Sequence, residues 1–103
     1  MNSKKQKVKF EYLTVSTPQT LVLDDPASVS FYNVSNNAGD DIVINNVLRL
    51  ASPITSASVP PNPNPTFINI QTNQGELDTT IYQVQFPTGT GTLLLIKKYY
   101  VDQ

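Results

Sequence analysis

The stretch that most constrains this chain is Asp78-Thr79-Thr80-Ile81-Tyr82-Gln83-Val84-Gln85-Phe86. From Tyr82 onward apolar and polar side chains alternate, with Tyr82, Val84 and Phe86 on one face and Gln83 and Gln85 on the other. A period of two marks a strand buried on one side. The rest of the chain follows suit. Lys7 to Val15 sets Val8, Phe10 and Tyr12 against Lys9 and Glu11, and Ser28 to Val34 places Val29 and Phe31 inward. Short apolar runs at Thr20 to Leu23, Asp41 to Ile44, Val47 to Leu50, Thr66 to Ile70 and Thr92 to Val101 complete a series of short strands. Turn signals separate them every 8–12 residues or so, and no helical period intervenes. That is the pattern of a sandwich.

The connections read as clearly as the strands. Thr17-Pro18 interrupts the first strand, which an outer strand tolerates because proline takes only a ladder donor away, and Thr20 to Leu23 is read as its continuation. Asp24-Asp25-Pro26 is a turn, and Ser35-Asn36-Asn37-Ala38-Gly39-Asp40 is loop-forming at every position. Asn45-Asn46 joins two apolar runs, and asparagine tolerates the left-handed backbone of a two-residue hairpin. Five of the eight prolines lie between Pro53 and Pro65. Such a tract is extended, at about 3.1 Å per residue, and seven residues span roughly 20 Å. That is enough to cross between sheets packed about 10 Å apart. The tract is read as an inter-sheet crossover in preference to a ligand for a proline-binding domain.

An Asp, two hydroxyl residues, an aliphatic and then a Tyr at the start of a strand resembles the tyrosine corner of immunoglobulin-like sandwiches. The resemblance implies that the Tyr82 hydroxyl reaches back a few residues, with Asp78 stabilising the turn. Where antibody domains carry a cysteine two residues later, this chain has Val84. The expected fold is therefore all-β, an immunoglobulin-like antiparallel sandwich of seven to eight strands without a disulfide. Residues 7–103 form the single domain, and the polar, basic residues 1–6 form a flexible arm.

Composition narrows the chemistry. The 103 residues include no histidine and no cysteine, so a His-assisted nucleophile, a His-ligated metal and a thiolate site are all excluded. Gly89-Thr90-Gly91 lacks the spacing and the following helix of a phosphate loop. Three acidic pairs remain: Asp24 with Asp25, Asp40 with Asp41, and Glu76 with Asp78. In an immunoglobulin-like order Asp24, Asp25, Glu76 and Asp78 meet at one end, where they would suit a calcium ion with its six to eight or so oxygen ligands. Ordinary turn chemistry explains them more simply, so no cofactor and no enzymatic activity are expected. Lys4, Lys5, Lys7 and Lys9 crowd the N-terminus of a chain whose net charge is −1. They read as a solubilising or docking arm, and neither nucleic acid nor a membrane is expected as a partner. No apolar region follows these lysines as it would in a signal peptide, so folding in the cytoplasm is expected.

The last strand is the odd one. Leu93-Leu94-Leu95-Ile96 is apolar on both faces, and after two lysines Tyr99-Tyr100-Val101 continues so. A sandwich strand needs one apolar face. The second is covered either by the N-terminal segment or by another chain.

Three stretches carry a further resemblance: Val29-Ser30-Phe31-Tyr32-Asn33-Val34 with Asp41-Ile42-Val43-Ile44-Asn45-Asn46, then Gly75 through Phe86, then Leu94-Leu95-Ile96-Lys97-Lys98-Tyr99. Over residues 27–101 the chain resembles the small all-β accessory proteins of tailed bacteriophage virions, including capsid decoration and head-fibre proteins. The resemblance implies a structural virion protein without catalytic residues, localised to the virion. It would dock on a larger lattice such as that of a major capsid protein, and homo-oligomers are possible partners too. The residues expected to make such contacts are Lys4, Lys5, Lys7, Lys9, Leu94, Leu95, Tyr99 and Tyr100. The competing expectation is a ligand-binding module that recognises a cell-surface glycan or protein through the loops Ser35–Asp41 and Pro87–Thr92.

Overall fold

The computed structural model describes residues 7–101, so the expected basic arm over residues 1–6, with Lys4 and Lys5, lies outside the described residues. Eight strands run in order: β1 (Lys7–Val15), β2 (Gln19–Val22), β3 (Ser28–Asn33), β4 (Ile42–Ile44), β5 (Leu48–Leu50), β6 (Phe67–Gln71), β7 (Ile81–Gln85) and β8 (Leu93–Val101). They form two antiparallel four-stranded sheets, ordered β1-β8-β3-β6 and β2-β7-β4-β5. The chain is an all-β sandwich, and having no cysteine it has no disulfide.

The strand order differs from the immunoglobulin-like one. Each strand pairs with the strand equally far from the other end of the series: β1 with β8, β2 with β7, β3 with β6, β4 with β5. A long hairpin rolled up so that its arms alternate between two sheets gives this order, which is the winding of a jelly roll. In the immunoglobulin order the last strand would lie beside the penultimate one. Here β8 sits in the opposite sheet from β7, between β1 and β3. Strand length gives the physical reason. β1 and β8 are both nine residues long and match from end to end, Lys7 opposite Val101 and Val15 opposite Leu93. β2 is likewise no continuation of β1: past Pro18 the chain changes sheets and joins β7.

The core lies between the inner faces. Val15, Val29, Phe31, Leu93 and Leu95 come from the first sheet, and Leu21, Ile42, Ile44, Leu50, Tyr82 and Val84 from the second. Phe31 meets Tyr82 edge to face, with ring centroids 5.0 Å apart, a geometry aromatic pairs favour.

Local chemistry sets the connections. Asn45 and Asn46 take φ of 54° and 58°, and the Val47 N–H donates to the Ile44 carbonyl at 3.2 Å, closing a tight turn. Ile44 stands opposite Leu48, however, so Val47 joins the two asparagines in the loop and the hairpin is one residue longer than the expected two. The proline tract leaves β5 at the edge of one sheet and reaches β6 at the edge of the other. It is the inter-sheet crossover. Asn62 pins it by donating to both Asp41 carboxylate oxygens, at 2.9 and 3.1 Å, while Arg49 Nε donates to the same carboxylate at 2.7 Å. Asn62→Ala should therefore cost about 1 kcal/mol, because Arg49 remains as a close donor to the buried Asp41 carboxylate. It should speed amide exchange locally over residues 52–65. Exchange unchanged in that segment would show that the prolines alone hold it.

Candidate functional site

The Asp78–Tyr82 corner forms, with one difference from the immunoglobulin pattern. The Tyr82 hydroxyl donates to the Asp78 carboxylate, not to a backbone carbonyl. The other Asp78 oxygen accepts from the Thr80 N–H at 2.9 Å, and the Asp78 N–H donates to the Pro26 carbonyl at 2.7 Å. Burial pushes the Tyr82 phenol up, and the neighbouring carboxylate adds to this, to about 12. For Asp78, burial works toward a higher pKa, but the donors Tyr82 and Thr80 outweigh it and hold the carboxyl below its ordinary value. This is a structural lock.

The acidic loops do meet at that end of the sandwich. Thr72 Oγ1 donates to the Ala27 carbonyl at 2.7 Å and contacts the Glu76 carbonyl at 2.9 Å, tying the two loops together. Two of their carboxylates, those of Glu76 and Asp78, are engaged within the loops. Asp24 and Asp25 form a turn at φ 61° and 56°, Glu76 accepts from the Asn73 N–H at 3.1 Å, and Asp78 is held by Tyr82. Among the described residues no group of three acidic side chains is placed to hold a metal ion.

At the opposite end, the loops Ser35–Asp41 and Pro87–Thr92 converge on Asp40. Thr88 and Thr90 hydroxyls each donate to its carboxylate at 2.8 Å. These bonds, Thr88 first, hold the carboxyl below its ordinary range against the opposing effect of burial. Ser35 Oγ accepts from the Thr92 N–H at 3.0 Å. Gly91 is required here: a Cβ on it would come within 2.9 Å of the Phe86 ring. Asp40, Thr88 and Thr90 are thus spent on one another, and Asp41 of the same loop is taken up by Arg49 and Asn62.

The unspent surface is the outer face of the first sheet. Register places its side chains in rows across the strands: Tyr12, Ile96, Ser30 and Asn69; Thr14, Leu94, Tyr32 and Phe67; Phe10, Lys98, Ser28 and Gln71. Val8 and Tyr100 extend it beyond the end of β3. Phe10 is 51% exposed, Tyr12 68%, Phe67 51% and Tyr100 52%. Tyr32 and Phe67 stack with centroids 5.4 Å apart, and the Lys98 ammonium lies 5.1 Å from the Tyr100 ring centre. A groove of about 600 Å³ opens beside this face, where the Gln71–Leu77 loop overhangs Lys98 and Tyr100. β1 lies beside β8 in the plane of the sheet, so it does not cover the second apolar face of β8 and instead widens it.

The expected contact residues divide by alternation. Leu94 and Tyr100 point to this outer face. Leu95 does not: it is fully buried in the core, so the expectation of a partner contact there is overturned. Tyr99 shares the inner side with Leu95, and its hydroxyl donates to the Leu23 carbonyl, fastening β8 to the loop after β2. Lys7 and Lys9 also lie on the inner side, away from the apolar face, with Lys9 Nζ 2.9 Å from Glu11. Lys97, across from Glu11 at 3.3 Å, is raised in pKa: burial lowers it, but Tyr99 and Glu11 more than compensate. Sequence reading missed Phe10, Tyr12 and Phe67 as surface residues, although the even spacing of Val8, Phe10 and Tyr12 already put them on a common face. Comparisons with protein-family models, curated proteins and solved structures gave no match.

Proposed function

We propose that this chain is a structural accessory subunit of a virion, docking on a larger capsid lattice through the outer face of its first sheet. The observation that supports this is the surface made by the exposed Phe10, Tyr12, Phe67 and Tyr100 around the half-buried Leu94. Contiguous apolar patches on a soluble domain mark interaction sites, and tyrosine suits them by burying a ring while keeping a polar tip. The jelly roll is a winding used by viral capsid domains and by lectins alike, so the face, not the fold, carries the choice.

The loop-binding reading draws on the convergence of Ser35–Asp41 with Pro87–Thr92. It is the weaker of the two, because Thr88, Thr90 and Asp40 satisfy one another and would have to be separated before they could hold a glycan hydroxyl. The decisive experiment incorporates Phe67→Ser with Leu94→Ser into particles of the phage encoding the chain. The expected result is a folded protein lost from purified particles. Normal incorporation of that variant would remove the docking face from consideration, and loss caused instead by Thr88→Ala with Thr90→Ala would favour the loops.

A further inference from the structure

β1 is an edge strand with an unusual edge. The Val34 N–H donates to the Thr92 carbonyl at 2.9 Å, and the Ala27 N–H to the Lys98 carbonyl at 2.7 Å. Even-numbered residues of β8 therefore turn their backbone groups toward β3, and odd-numbered ones toward β1. It follows from the register that odd residues of β1 bond to β8. The N–H and C=O groups of Val8, Phe10, Tyr12 and Thr14 then face outward, and among the described residues no strand pairs with them. Such an edge invites another strand unless proline, a bulge or an inward charge blocks it. The nine residues Lys7–Val15 include no proline or glycine.

The charges that would repel an arbitrary strand fit a second copy of the same one. We propose that two copies of this chain associate by antiparallel pairing of β1 with β1, about a two-fold axis through Phe10. In that register Phe10 faces Phe10, Val8 faces Tyr12, and Lys9 of each copy faces Glu11 of the other. An axis through Glu11 would set carboxylate against carboxylate, one through Lys9 would set ammonium against ammonium, and one through Tyr12 would leave Glu11 opposite Leu13. Like charges directly opposite destabilise a strand pair, and unlike charges support it. Only the Phe10 register is complementary on both faces. It joins the ion pairs Lys9–Glu11 and Lys97–Glu11 of each copy into one network. The outward backbone groups of Val8, Phe10 and Tyr12 supply about six inter-chain hydrogen bonds, two for each hydrogen-bonded residue pair. The pairing also makes one continuous sheet of the two apolar outer faces, so the occupant of the edge is a second copy of this chain.

Sedimentation equilibrium of the full chain should show a reversible dimer. Lys9→Glu and Glu11→Lys should each weaken it at least about tenfold, since each sets like charges opposite one another twice. An equimolar mixture of the two variants should recover a heterodimer, because every charge then again meets its opposite. Circular dichroism of each variant checks folding. Phe10→Cys, in a chain with no other cysteine, should cross-link to its own copy on oxidation. Thr14→Cys should not, its counterpart lying roughly 27 Å away at about 3.4 Å per residue. A wild-type chain that stays monomeric at every concentration would overturn the proposal. So would a dimer indifferent to both charge changes, or one cross-linked at Thr14 in place of Phe10. If either charge variant fails to fold, the cysteine pair decides alone.

Discussion

Leu95→Ser should lower stability by about 2–5 kcal/mol, and Leu94→Ser, one residue away, by less than about 1 kcal/mol. Composition cannot tell these two leucines apart; the pleat can. Leu95 stands opposite Phe31 on β3 and Leu13 on β1, with no solvent exposure, and belongs to the core that fills the space between the sheets. Truncating it removes buried apolar surface, leaves a cavity and places a hydroxyl where no partner waits. Leu94 stands between Thr14 and Tyr32 on the partly exposed outer face, where a serine can be hydrated. Urea unfolding followed by fluorescence of the tyrosines gives both values. Equal losses at the two positions would show that both faces of β8 are core, and the docking face would lose its support. Tyr100→Ser, further along the same outer face, should behave as Leu94→Ser does.

The strands were legible by alternation, as in β1, β3 and β7, or as short apolar runs bounded by turn residues, as in β4 and β8. All eight lie where apolar spacing and turn residues put them, and Asn45-Asn46 closes its hairpin as asparagines can. The proline tract was legible as a crossover for a reason of length. What alternation encodes, however, is which face of a strand is buried and not which neighbour it takes. The position of β8 between β1 and β3 was therefore hidden, and with it the jelly-roll order. The burial of Leu95 and the exposure of Phe10 and Tyr12 were hidden too, since both follow from the partner's register. Asn33 shows a second kind of blindness. It reads as an ordinary strand-end residue, yet it is buried and donates from Nδ2 to the carbonyls of Asp40 and Leu50 at 2.9 and 3.1 Å. Its Oδ1 accepts from the Ser35 N–H at 3.0 Å. The Ser35 contact is local, but the two carbonyls lie further along the chain, seven and 17 residues away, and nothing local to Asn33 points to them. Asp78 and Tyr82 lie four residues apart, within reach of one another by local geometry, and so could be read directly.

That proximity makes the corner the sharpest test of the second sheet. Asp78→Ala should cost about 1–3 kcal/mol, because it strips the buried Tyr82 hydroxyl and the Thr80 N–H of their acceptor at once. Tyr82→Phe should cost about 1 kcal/mol, leaving Asp78 with the Thr80 N–H as its remaining close donor. The pH dependence separates the two groups. Asp78 is held below its ordinary value in the fold, so its contribution is present above the ordinary carboxylate range and fades as the pH falls through the folded value. Tyr82 is raised to about 12, so its contribution is complete below the ordinary phenol value near 10. It is lost as the pH climbs from there through about 12. Tyr82→Phe should therefore remove the part of the alkaline fall in unfolding midpoint that lies between those values, and Asp78→Ala should shrink the acid fall. The acid limb will not vanish, because Asp40 is also held low and keeps its own share. An alkaline limb identical in wild type and Tyr82→Phe would mean that the hydroxyl is not locked to Asp78 in solution, and that the loop before β7 is held by the Asp78 backbone contact to Pro26 instead.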